Sequence, residues 1–132
     1  MIALNKDNIL KILNDYNFNL QEYVVISGAA LVLHGVKDFT SDIDIAVSDK
    51  LYDKILTNHN CSFEIQINNN NVWFVDNVIN FSKRYYDVEY TLLYGYKVQT
   101  LDSIIELKKQ LNREKDKKDI QLIRNFCKKN EY

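Results

Sequence analysis

The chain contains no proline and only three glycines. Its turns must be made by other residues, and each glycine marks a place where backbone room or a left-handed conformation is needed. Its two cysteines, Cys61 and Cys127, are far apart and form no CxxC pair, so reduced thiols are expected. Two histidines and two cysteines give no zinc-ligand spacing. No apolar run exceeds about five residues, far short of the ~20 that span a bilayer. The N-terminus lacks the charged start and apolar stretch of a signal peptide. A soluble, cytoplasmic protein is expected. Nor does one sign of charge dominate: the net charge is -1, which sets up no global field for nucleic acid.

What is there suits one globular domain over residues 1–132, large enough to bury a real core but offering only a shallow or shared cleft. The charge is unevenly placed. Residues 106–132 hold nine Lys or Arg against five acids, and residues 1–105 hold eight against thirteen. A basic C-terminal segment beside an acidic body suits an anionic ligand held between them.

Periodicity predicts a helix over 5–21, capped by Asn5 or Asp7. "EYVVISG" reads as a buried strand running into a turn, and "AALVLHG" as a short helix closed by Gly35. "DIDIAV" is the next strand. An amphipathic helix follows over 48–60, capped by Ser48 or Asp49. "SFEIQI" and "VWFVD" read as a hairpin joined by "NNNN", and "NVINF" as a further strand. Residues 86–100 are Tyr-rich and strand-like, with a turn at Gly95. Two helices close the chain, over 101–112 with residues 101, 104, 105, 107 and 111 inward, and over 113–130 with 120, 122, 123 and 126 inward. The expected fold class is α/β (α+β), a mixed sheet with flanking helices.

"FTSDIDIAV" places Asp42 and Asp44 one residue apart in an apolar strand. Residues i and i+2 of a strand share a face, roughly 7 Å apart. Ile43 and Ile45 then feed the core, while the two carboxylates repel each other on the other face. A divalent cation resolves that conflict. Mg²⁺ or Mn²⁺ takes oxygen ligands and is often shared between one or two carboxylates and substrate phosphates. Upstream, Ser27 and Gly28 sit where a strand turns into a helix, a place where backbone amides approach phosphate closely.

This order of segments resembles the nucleotidyltransferase superfamily with its DNA polymerase β-like fold. It is most similar to small bacterial nucleotidyltransferase-like proteins of the abortive-infection toxin type. Their "GGxAxxxHG", "T-x-DID" and "L-x-x-K…R-x-KD-x-x-DI" stretches appear here as "SGAALVLHG", "FTSDIDI" and "LKKQLNREKDKKDI". The resemblance spans residues 5–127 and implies a minimal nucleotidyltransferase fold with two C-terminal helices. It implies transfer of a nucleoside monophosphate from an NTP to an acceptor hydroxyl on RNA, protein or a small molecule. Asp42 and Asp44 would bind the metal, and Ser27 and Gly28 the terminal phosphates. Lys108, Arg113 and Lys115 would face the triphosphate, and Asp116 would orient a lysine. A toxin–antitoxin partner is a further implication, as is a degenerate member that binds nucleotide or protein without catalysis.

Two positions depart from the pattern. Ser27 stands where the family has the first glycine of its pair. Asn80, in "NVINF", stands where active members carry a third carboxylate, and an amide cannot act as a base. Asp76, Asp87 and Glu89 are the nearby acids, and "YYDVEY" puts Asp87 and Glu89 on one strand face. The hydroxyls of Thr40 and Ser41 are placed to touch phosphate or metal-bound water, or to bond at the strand entry. Lys37 is a loop cation able to meet an anion, His34 reads as a helix-end brace, and Tyr94 and Tyr96 are candidates to stack a base.

Overall fold

The computed structural model describes residues 3–67 and 69–130. Asn68, part of the expected asparagine loop, lies outside them. Helix α1 spans Lys6–Tyr16. Its start is a reciprocal box in which Asn5 Oδ1 accepts from the Asn8 amide (2.8 Å) and Asn8 Oδ1 from the Asn5 amide (3.0 Å). It stops earlier than its periodicity suggests, because Asn17 turns left-handed with φ of 53°. Leu20 then falls in a short 3-10 turn, Leu20–Glu22, and is exposed rather than inward.

Strand β1 (Tyr23–Ile26) is followed by α2 (Ser27–His34), β2 (Ile43–Val47), α3 (Asp49–Asn58), β3 (Cys61–Ile67), β4 (Asn70–Val75) and β5 (Ile79–Ser82). Then come β6 (Tyr90–Leu93), β7 (Tyr96–Gln99), α4 (Leu101–Leu111) and α5 (Glu114–Lys129). The described strands form one mixed sheet of order β3-β4-β5-β2-β1-β7-β6. β2 runs antiparallel to β1 and parallel to β5, and β1 is parallel to β7. This is the α+β class, and no described helix is long and apolar enough to cross a membrane.

The pleat sorts the central strands into two faces. Tyr23, Val25, Ile43, Ile45, Val47, Ile79 and Phe81 point into the main core with Ala29 and Ala30 of α2, Leu51 and Ile55 of α3, Ile104 of α4 and Ile123 of α5. Val24, Ile26 and Ala46 belong to a smaller cluster on the other face, partly covered by Tyr85 and Val88. The segment read as an extended strand thus begins as a 3-10 turn, Tyr85–Asp87, folded against that face. Between β6 and β7 the turn is made by Tyr94 and Gly95 with φ of 55° and 84°, the two positive angles of a tight hairpin.

Helices α4 and α5 are joined by an ionic clamp. Asp116 is fully buried and accepts from Arg113 Nε (2.6 Å), Arg113 Nη2 (3.0 Å) and the Arg113 amide (3.0 Å), with Lys108 Nζ at 3.5 Å. Asp119 meets both Lys108 Nζ (2.9 Å) and Lys37 Nζ (2.8 Å), which ties the loop after α2 to α5. Leu122, expected inward, is exposed on α5 while Ile123 is buried.

Removing the buried anion leaves Arg113 and Lys108 without it. Asp116→Ala is therefore expected to cost ~3 kcal/mol or more, read as a lower urea midpoint at pH 7. Arg113 holds the Asp116 carboxyl down to about 2. The wild type keeps this contribution above pH ~4 and loses it as pH falls towards 2, so the two proteins should converge in acid.

Candidate active site

Asp44 lies at the centre of the sheet, opposite Ile26 of β1 and Asn80 of β5. The Asp44–Asn80 register puts the two side chains next to each other on the face away from the main core. Asp42 immediately precedes β2 and is half-buried. The pair is costly as it stands. Burial, the Asp42 charge and the Glu64 charge push the Asp44 carboxyl from 3.8 to about 7, against the Asn80 amide and Lys108. Burial also raises Asp42, opposed by the Asn80 amide and Lys115. Asn80 is 8% exposed, and its Oδ1 is buried with no hydrogen-bond partner.

Asp44 and Asn80, but not Asp42, line a cleft of about 260 Å³. Ser27 and Asp44 lie on one side, Asn80 and Ser82 on the floor, and Glu64, Ile65, Ile67 and Val72 of the β3–β4 hairpin on the other. Arg84, just after β5, and Lys115, from the first turn of α5, bring two cations. Neither has an ion-pair partner among the described residues. Sequence reasoning missed Arg84 and Glu64. "SKR" after a strand looks like a solvated turn, and the position of Glu64 depends on a bulge that alternation does not reveal.

The phosphate-binding candidates divide. Ser27 opens α2 with φ of 56°, the left-handed region in which glycine is free and serine costs about 1 kcal/mol. That is a physical reason for the glycine that the resemblance to nucleotidyltransferases implies at this place. Its amide already donates to Gln99 Oε1 (3.0 Å), and Gln99 Nε2 donates to Ser103 Oγ (3.0 Å). Gln99, which the sequence did not single out, thereby fastens the start of α2 to α4. Gly28 is small for a packing reason, since a Cβ there would lie 2.7 Å from Thr40 Oγ1. Thr40 itself pairs with Leu4 through two backbone hydrogen bonds (2.7 and 3.0 Å). Ser41 is exposed at the strand entry.

Of the three basic candidates, only Lys115 lines the cleft. Lys108 and Arg113 are committed to Asp116 and Asp119, and so is Lys37. Asp119 carries the consequence: burial favours its neutral form, but Lys37 and Lys108 hold its carboxyl below the usual range. Asp87 and Glu89 do not share a strand face beside the aspartates. Asp87 sits in the 3-10 turn, Glu89 precedes edge strand β6, both are exposed, and neither lines the cleft. Asp76 accepts from the hydroxyl of Tyr16, the last residue of α1. His34 braces the fold, its Nε2 2.8 Å from the Gln99 carbonyl. Tyr94 packs under Lys6 in a separate cleft, and Tyr96 is packed against the core.

The donor set here is all oxygen, namely the carboxylates of Asp42 and Asp44, to which the Asn80 amide donates. That chemistry fits Mg²⁺ or Mn²⁺ and not a thiophilic ion. Among the described residues no three acids converge closely enough to hold one ion.

The chain belongs to the family described as "Nucleotidyltransferase of unknown function (DUF6036)", which matches residues 3–125. No curated protein matches the chain significantly. Membership makes it a nucleotidyltransferase-like protein, and the sheet with its adjacent aspartate and amide is the frame on which the residues above sit.

Two outcomes follow from this geometry. Ionising Asp44 in the fold costs up to ~4 kcal/mol, since its carboxyl titrates higher folded than unfolded. Stability is full below pH ~4 and is lost as pH rises through about 7. Asp44→Asn should therefore raise the Tm of metal-free protein at pH 8, less at pH 5, and change it little at pH 4. Gly28→Ala should cost ~1–2 kcal/mol through the Thr40 contact, and Thr40→Ala in that background should recover most of it in chemical denaturation.

Proposed function

We propose that this protein transfers a nucleoside monophosphate from an NTP to an acceptor hydroxyl, with Mg²⁺ or Mn²⁺ held by Asp42 and Asp44. The observation that carries the reading is the Asp44–Asn80 register at the floor of a cleft bearing two unpaired cations, Arg84 and Lys115. When bound, the divalent ion supplies charge neutralisation at the phosphates and relieves the repulsion between the aspartates. Lys115 and Arg84 hold the triphosphate and offset its charge. The Ser27 hydroxyl and the start of α2 border the same phosphates. Ile65, Ile67 and Val72 give the hairpin side of the cleft an apolar wall. The protein thus contributes positioning and electrostatics more than covalent chemistry.

A second reading has its own support. Asn80 stands in register with Asp44 where an acid would complete a three-carboxylate site, and an amide takes no proton. On that reading nucleotide binds and turnover is very slow.

Calorimetry with a non-hydrolysable NTP tests the common ground. Binding should strengthen at least tenfold, or ~1.4 kcal/mol, when Mg²⁺ replaces EDTA. Asp42→Ala and Asp44→Ala should remove that gain. Equal affinity with and without the ion would overturn the metal reading. Growth arrest on expressing the chain alone, relieved by Asp44→Asn, would mark a toxin acting through this site.

A further inference from the structure

We infer that Glu64, carried on a bulge of β3, is the base that takes the proton from the acceptor hydroxyl; the inference rests on the nucleotidyl-transfer reading above. The β3–β4 ladder pairs Phe63 with Trp73 and then Ile65 with Val72, so Glu64 is an extra residue on β3. Phe63 and Trp73 face the helices: their rings meet edge-on at 5.5 Å, and the Trp73 indole donates to Tyr52 of α3 (2.8 Å). Simple alternation would send Ile65 and Ile67 to that side too. The bulge shifts the phase, and both isoleucines instead line the cleft with Glu64.

Glu64 gains nothing structural there. It has no hydrogen bond or ion pair among the described residues, and its charge acts unfavourably on Asp44. It does not join the aspartates around one ion, since no three acids converge among the described residues. It lines the same cleft as Asp44. A second, independent feature marks that space for a ligand. Asn80 is more than nine-tenths buried, and its Oδ1 has no partner at the cleft floor. A carbonyl oxygen can accept a donor or contact a cation but cannot take up the acceptor's proton. Glu64 is the only cleft-lining carboxylate besides Asp44 among the described residues.

The step balances without a further reagent. The acceptor O–H proton passes to the Glu64 carboxylate. The acceptor oxygen forms a bond to the α-phosphorus, and the bond from that phosphorus to the bridging oxygen breaks. Its electron pair leaves with pyrophosphate.

The test uses the full chain with labelled NTPs, and with total RNA, casein and glycerol as acceptor hydroxyls. Wild type, Glu64→Gln, Asp44→Asn and the double variant Glu64→Gln/Asn80→Asp are compared. Each is assayed for pyrophosphate release and, separately, for binding of a non-hydrolysable NTP with Mn²⁺. Glu64→Gln should lower kcat by ~10²–10⁴-fold and leave nucleotide Kd within about threefold. Asp44→Asn should lose the Mn²⁺-dependent binding. Asn80→Asp should restore part of the turnover to the Glu64→Gln protein by supplying a carboxylate beside Asp44. Wild-type turnover in Glu64→Gln would overturn the inference, as would its loss of binding together with turnover. Wild type that binds nucleotide but releases no pyrophosphate would overturn Glu64 and keep the site. Wild type that binds none would remove the function on which Glu64 depends.

Discussion

The register of three short central strands is the constraint on which the site depends. β1, β2 and β5 are four or five residues long, and Ile26, Asp44 and Asn80 lie abreast across them. Ile43 and Ile45 are locked into the core on the opposite face, so a one-residue slip would bury both aspartates and expose both isoleucines. That penalty far exceeds the cost of holding two carboxylates near each other. Hydrophobic burial on one face thus fixes an electrostatic conflict on the other. The conflict is retained because the fold cannot relax it by moving the strand.

The same logic separates what the sequence made legible from what it hid. The central strand was readable because Ile43, Asp44, Ile45 and Ala46 alternate cleanly between two environments. The α2 stop was readable from Gly35, which the structure holds at φ of 88°. Of the caps offered as Asn5 or Asp7 and as Ser48 or Asp49, Asn5 and Ser48 are the side chains that accept backbone amides; the Thr100 cap of α4 was not read from the sequence. Asp87 and Glu89 misled because "YDVEY" alternates like a strand. The apolar partners of Tyr85 and Val88 lie across the sheet at Val24, Ile26 and Ala46, and that pull bends the segment into a turn. No local pattern reports such a long-range contact. Glu64 was hidden by the opposite effect, a single inserted residue that changes the phase of an otherwise regular strand.

Charge counting was similarly blunt on the C-terminal helices. The net positive charge of residues 106–132 suggested cations free for phosphate. In three dimensions, Asp116 and Asp119 capture Lys108, Arg113 and Lys37 in one network. Such a buried anion is weak evidence for net stability, but its contacts to Lys108 of α4 and Arg113 at the start of α5 link the two helices. Its effect is to place the first turn of α5, and therefore Lys115, at the cleft. The unpaired cation is positioned by the paired ones.

Ser27 and Gly28 show how one small-residue turn serves two ends. Gly28 lacks a side chain because Thr40 occupies the space, which brings the residues preceding Asp42 against the start of α2. Ser27 takes a left-handed conformation and gives its amide to Gln99, so this helix terminus is already spoken for by the protein. On the proposed nucleotidyl-transfer reading, anion binding at the cleft would then fall mainly to side chains, Arg84 and Lys115, rather than to a free row of backbone amides. A site built in this way draws its charge complementarity from residues on two separate elements, the exit of β5 and the entry of α5. On that reading both would have to hold their positions for the aspartates to meet a phosphate instead of each other.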